Sequence, residues 1–302
     1  MQDQAERLRQ LMDRLNQPLT SEAPEPAASS RCRIITVTSG KGGVGKTNLS
    51  VNFALAMAAR GKSVLLFDAD MGLANVDVML GMIPQYTLLN VLNGQKSLSE
   101  IILEGPGGIK LVASGSGGVQ ELADLNESQR VKFLDALMEL QNQSDIILID
   151  TGAGLHRNVL AFVIAAEEVV IVTTPEPTAL MDAYGMIKIL YREKGNPVIN
   201  IVVNMAGNQT EADEAGKKLV ILSKRFLGLD IEYLGFVPRD PSMLKAVREQ
   251  KPVLLSAPLC PAAVSMNRLA EMIITGKARR DEGDLINFFK KVTHIFGSKR
   301  KG

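Results

Sequence analysis

Only two cysteines and two histidines occur in these 302 residues. Cys32 and Cys260 lie far apart and show no metal-type spacing, so they read as reduced thiols of a cytoplasmic protein. Charge of one sign is missing too: the net charge is +1, which argues against a global nucleic-acid footprint and leaves only local patches. No uncharged apolar run approaches about 18 residues, because Glu167 and Glu168 interrupt the best candidate, so no membrane-spanning helix is expected. The first residues, MQDQAERLRQ, are charged and lack an apolar centre, so no secretory leader is expected. No internal repeat is visible. What remains, 46% hydrophobic and 22% charged, is enough for one large α/β domain with tails.

The rest of the chain is organised around SGKGGVGKT, Ser39–Thr47. An apolar run, Ile34–Thr38, precedes it, and a stretch of helical period, Asn48–Ala59, follows. Strand, glycine-rich turn and helix N-terminus in that order form a phosphate cradle. Gly40, Gly42, Gly43 and Gly45 leave no Cβ in the way, Val44 completes the turn, and backbone N–H groups and the helix dipole point at the anion. Lys46 reaches the β- and γ-phosphates, and the Thr47 hydroxyl can ligand Mg²⁺. A nucleoside di- or triphosphate with Mg²⁺ is therefore the expected ligand.

Strand-like runs then alternate with helical stretches: Ser63–Phe67, Ile109–Ala113, Asp145–Ile149, Glu168–Thr174, Val198–Asn204 and Ile231–Val237. Several are continuous rather than alternating, as strands covered on both faces require. The expected fold is α/β, a doubly wound, mostly parallel sheet with ligands beyond the carboxyl ends of its strands. Asp68 and Asp70 follow the second run, and i, i+2 spacing on a strand end points both toward the phosphates. One would hold Mg²⁺ through water and the other would orient a water for in-line attack. Asp145–Asp150 is an apolar strand ending in an acid that bonds the Mg²⁺ shell, followed by the turn Thr151-Gly152-Ala153-Gly154. His156, just beyond, has no partner visible in sequence and reads as a bystander. The Ser114–Gly118 run lacks a lysine and reads as loop punctuation.

Both ends differ from the middle. Leu8, Leu11, Met12 and Leu15 give residues 1–16 a short amphipathic stripe, too short to hold a helix alone in water. Residues 17–31 are a Pro/Ala/Ser-rich spacer, which suits a tethered docking peptide; a helix packed back on its own domain is the alternative. At the other end Leu285, Phe288, Phe289, Val292, Ile295 and Phe296 share one helical face, with Lys290, Lys291 and His294 opposite and Lys299–Lys301 following. That pattern describes a helix lying in an anionic headgroup plane, and packing on the core is the alternative. The divisions expected are 1–16, 17–31, an ATPase domain over 32–280, and a membrane-targeting tail over 281–302.

The second lysine of the loop, Lys41, is not required by an ordinary P-loop. GKGGVGKT resembles the deviant Walker A of the MinD/ParA family, DADMGLANVD its switch I, and DTGAG its switch II, with Gly152 where the family more often has proline. The resemblance implies that Lys41 reaches the nucleotide of a second subunit in an ATP-dependent homodimer, that Asp182 is its resting partner, and that Lys41, Lys46 and Asp70 serve hydrolysis. It makes Thr47, Asp68 and Asp150 the metal residues and puts Asn48, Asn204, Pro238 and Arg239 at the nucleotide, the last three at the base. Asn and Pro at strand ends are also ordinary turn formers. Residues Asp3, Gln4, Ala5, Leu8 and Arg9 resemble the DQAxxLR element of the flagellar FlhG (FleN/YlxH) branch, as does TTPEPTALMDAYGMIK. That branch implies an FlhF-type GTPase, flagellar C-ring components and a flagellar transcription regulator as partners, and a protein that is cytoplasmic as monomer and peripheral on the inner membrane as ATP dimer. A MinD-type division-site regulator and a non-membrane anti-activator remain the alternatives; direct DNA binding is not expected.

Overall fold

The computed structural model describes residues 32–70, 76–115, 133, 137, 140–194, 197–276 and 285–297. The N-terminal element with Asp3, Gln4, Ala5, Leu8 and Arg9, residues 71–75 of the switch I block, the Phe296 side chain and the terminal basic run lie outside them.

Strand β1 (Arg33–Ser39) has hydrogen-bonded neighbours on both edges and side chains buried on both faces, so its IITVT run has no polar alternation to offer. Around it stand β2 (Val64–Ala69), β3 (Leu103–Glu104), β4 (Lys110–Val112), β5 (Ile146–Ala153), β6 (Glu168–Thr173), β7 (Val198–Ala206) and β8 (Glu232–Pro238). The order is β3-β4-β2-β5-β1-β6-β7-β8. Every pairing is parallel except β3 with β4. The doubly wound sheet read from the sequence is the one the chain adopts, and each of the seven apolar runs is a strand. β3 escapes that reading because two residues paired antiparallel at an edge leave no apolar run.

One face carries α1 (Lys46–Ala58), α2 (Val76–Leu80), α7 (Pro241–Arg248), α8 (Val253–Ser256) and α9 (Pro261–Thr275), packed over Ile35, Val37, Leu66 and Leu148. The other carries α3 (Leu88–Leu92), α4 (Arg157–Ala165), α5 (Pro177–Lys194), α6 (Gln209–Leu227) and α10 (Leu285–Gly297), packed over Phe67, Ile147, Ile149 and Val169. From β1 the sheet is built outward in both directions, and the crevice where that direction reverses lies at its carboxyl end.

The C-terminal helix does not stand apart from this core. Leu285, Phe288, Phe289 and Val292 are at most 3% exposed. The Phe289 ring meets those of Phe67 at 5.5 Å, Phe133 at 5.4 Å and Phe288 at 5.2 Å, and Phe162 lies at 6.3 Å. Burying a phenylalanine contributes about 1.5–3 kcal/mol, and edge-on ring pairs add about 0.5–1.5 kcal/mol. The Leu285 N–H donates to Gln141 Oε1 at 2.8 Å, and Arg157 donates to the Ile295 carbonyl near the other end. Ile295 is partly buried against the same core. The face expected to meet lipid is, in this structure, covered by the chain's own aromatic cluster, and α10 belongs to the body of the domain rather than to a separate tail. No described helix is long and apolar enough to cross a membrane.

Candidate nucleotide site

The loop between β1 and α1 is shaped by what leans on it. A Cβ at Gly40 would fall 2.5 Å from the Asp182 backbone on α5, and one at Gly45 would fall 2.4 Å from Asn204 Nδ2 on β7. Gly45 is also the N-cap of α1, at φ 82°, a left-handed conformation that any side chain would strain. Glycine is thus required at both ends of the cradle by packing, beside any need to approach a phosphate. Val44 is buried and its carbonyl accepts from Asn204 Nδ2 at 2.8 Å, while Thr47 and Asn48 sit half-buried in the first turn of α1.

Lys46 is 6% exposed and its ammonium donates to Asp150 Oδ1 at 3.0 Å. Ser50, one turn along α1, donates to the same oxygen at 2.7 Å. Asp150 is fully buried, and its Oδ2 has no hydrogen-bond partner in the protein. A carboxylate oxygen left this way is costly unless something arrives to meet it, and a water on Mg²⁺ fits. Asp68 stands in direct register with Asp150 on the neighbouring strand and is 1% exposed, so two carboxylates of the expected metal set share one level of the sheet. Ser50 was not found from sequence; its signal was the i, i+4 spacing from Lys46 on a helix face.

Asp70 lies just past the end of β2, and its N–H donates to Asp68 Oδ1 at 3.0 Å. Its carboxylate lies over the switch turn: a Cβ on Gly152 would come within 3.3 Å of both Asp70 Oδ1 and Val159 Cγ2 of α4. The turn itself is tied to the cradle, since Gly154 N–H donates to the Ser39 carbonyl at 2.9 Å and Thr151 Oγ1 donates to the Val37 carbonyl at 3.2 Å.

Lys41 has a different partner. Its ammonium donates to Glu176 Oε2 at 2.9 Å and Thr178 Oγ1 at 3.0 Å, both where α5 begins, and not to Asp182, whose backbone is taken up by Gly40. That hydrogen bond from Lys41, with its charge, holds the Glu176 carboxyl below the usual glutamate range. Glu176 was missed although its place was legible: an acid just past the end of β6, the strand beside β1.

At the far side of the cradle, one N–H of the Asn204 amide is committed to the loop, which leaves its second N–H and its carbonyl oxygen as the donor–acceptor pair a base would meet. Pro238 ends β8, and the Arg239 N–H donates to the Ala206 carbonyl at 2.8 Å, which ties the two strand ends together beside Asn204. Asp240 then caps α7 and reaches α9 through Ala262 N–H.

This arrangement has relatives. Residues 31–274 match the family model described as ParA, NUBPL iron-transfer P-loop NTPase. The chain belongs to the ParA/MinD family of P-loop ATPases. The antiactivator FleN of Pseudomonas aeruginosa is 41% identical over 241 residues, 80% of this chain and 86% of that one. The flagellum site-determining protein YlxH of Helicobacter pylori is 34% identical over 271 residues, 88% and 91% of the two chains. The septum site-determining protein MinD of Pyrococcus horikoshii, solved with Mg-ADP, superposes with a TM-score of 0.66 at 26% identity, covering 81% of this chain and 96% of that one. As a ParA/MinD ATPase the protein hydrolyses ATP with Mg²⁺. Its chemistry is positioning and charge stabilisation: the loop N–H groups and Lys46 would face the phosphates, and Asp68, Asp150 and Thr47 would hold the metal and its water shell.

Proposed function

We propose that the protein is a nucleotide-timed switch that sets the number and placement of flagella, working as an ATP dimer on the inner membrane and as a monomer in the cytoplasm. The observation that carries this reading is the seat of α10. Phe67, against which Phe289 packs, directly precedes Asp68, and α4, which supplies Phe162 and Arg157, directly follows the DTGAG turn. Elements that respond to γ-phosphate are therefore the elements that hold the amphipathic helix. Release of α10 would present Phe288, Phe289, Val292, Ile295 and Phe296 to anionic lipid, and two such helices on one dimer would bind far better than one through effective concentration. Lys41 leaves Glu176 to reach the second subunit's nucleotide, and Asp70 positions the water that resets the switch. Asn204, through its carbonyl end, with Pro238 and Arg239, receives the adenine. Flagellar relatives support the target, and the N-terminal Asp3–Arg9 element is the proposed contact to an FlhF-type GTPase, with C-ring components as further partners.

Iron transfer, named in the family description, finds little support in the thiols. Cys32 is buried, which together with Asp145 pushes its thiol up to about 12, and Cys260 caps α9 by accepting from Ala263 N–H. A second reading is favoured by the antiactivator relative: a cytoplasmic module that holds a flagellar transcription regulator with α10 permanently seated. Sedimentation with vesicles containing anionic lipid separates the two. The switch predicts that protein pellets with MgATP and stays in solution with ADP or no nucleotide. Equal sedimentation in all three states would remove the membrane step and leave the antiactivator reading.

A further inference from the structure

Between the end of β2 and the start of α4 lies a cleft of about 220 Å³, lined by Ala69, Asp70, Gly152, Ala153, His156, Asn158 and Val159. It borders the cradle, where a Cβ on Gly42 would stand 4.0 Å from that of Ala153. The two glycines of the switch turn are each covered by one of its polar side chains. The Asp70 carboxylate lies over Gly152, and the His156 ring lies over Gly154, with Cδ2 3.3 Å and Nε2 3.5 Å from where a Cβ would be. Gly154 is the residue latched to Ser39 at the mouth of the cradle. An imidazole and a carboxylate thus flank one short turn beside the cradle, in a cleft with room for water.

We infer that His156 is a positioning residue for hydrolysis, sharing the water of this cleft with Asp70. This rests on the reading of Asp70 as the water-positioning acid. In the step served, the water oxygen bonds to the γ-phosphorus as the bond from that phosphorus to the β,γ-bridging oxygen breaks toward ADP. One water proton stays on the phosphate and the other passes to solvent. His156 takes no part in the bond changes. Its ring nitrogen holds the water on the side away from the carboxylate, so that the oxygen's free lone pair faces the cradle. Asp70 alone would fix only one of the water's contacts.

His156 is exposed at the start of α4, so substitution there does not open the core. His156→Leu keeps volume and loses the ring nitrogens, His156→Gln keeps a polar group near the Nε2 position, and Asp70→Asn tests the underlying reading. Each is assayed for steady-state ATP hydrolysis, for affinity toward a fluorescent ATP analogue, and for ATP-dependent dimer by light scattering. The expected result is a kcat lowered roughly 10- to 100-fold in His156→Leu, as misplacement of a reacting group produces. KM, analogue affinity and dimer should be unchanged, and His156→Gln should recover most of the rate. Wild-type kcat in His156→Leu, or an equal loss in His156→Gln, would overturn the inference while an inactive Asp70→Asn kept the acid in place. Full hydrolysis by Asp70→Asn would overturn both.

Discussion

Lys41 and Lys46 belong to one loop and live in opposite surroundings. Lys46 and Asp150 are 6% and 0% exposed; Lys41 and Glu176 are 39% and 64% exposed, at nearly the same nitrogen–oxygen distance, 3.0 against 2.9 Å. The first pair is out of water and held by a third group, Ser50, so neither charge can be lost without stranding the other. The second is bathed in water, worth little to the fold and easily exchanged for another anion. One lysine is built in and the other is lent. In the proposed dimer Lys41 crosses to the second subunit, which a residue held as Lys46 is held could not do, and the two pairs differ by burial rather than by bond length.

Substituting Lys46 should break the comparison most severely. Lys46→Met strands a buried carboxylate and should cost about 3–5 kcal/mol in urea-induced unfolding, together with loss of ATP hydrolysis. Lys41→Ala should leave the unfolding midpoint where it is and abolish the proposed ATP-dependent dimer, with light scattering as the measurement; a shifted midpoint would mean the surface pair is structural after all. Glu176→Gln should release the lysine early, so that dimer forms at a few-fold lower protein concentration, since less of the population is held in the resting pair. The smallest effect is a titration. With its folded-state value depressed, the Glu176 carboxyl keeps its charge below the ordinary glutamate range, so the contribution of the pair is in place above that range and disappears as pH falls through the depressed value. Carboxyl chemical shifts should show that low midpoint in the wild type and its return to the ordinary value in Lys41→Ala.

The sheet was legible because buried parallel strands must be written as unbroken apolar runs, and the cradle because its glycines, lysine and threonine have fixed spacing. Directions of side chains at strand ends were not. The Asp68 carboxylate was expected to face the metal alone and also accepts from the Asp70 backbone N–H, because an aspartate side chain readily bonds the chain two residues on. Asp182 was expected to hold Lys41, yet the packing of Gly40 on its backbone leaves that role to Glu176, and no periodicity carries such information. The seat of α10 was illegible for a different reason: Phe288 and Phe289 satisfy a core and a bilayer equally well, and the sequence pattern is the same for both.

Asp150 shows what a folded site can settle in advance. Lys46 and Ser50 both grip one of its oxygens, so the carboxylate gave up its rotamer freedom when the chain folded, and its second oxygen is aimed before any ligand arrives. A water on Mg²⁺, whose shell tolerates little departure from octahedral order, would then meet an acceptor whose direction is already chosen, a rigidity from which a larger, more forgiving ion such as calcium would gain less.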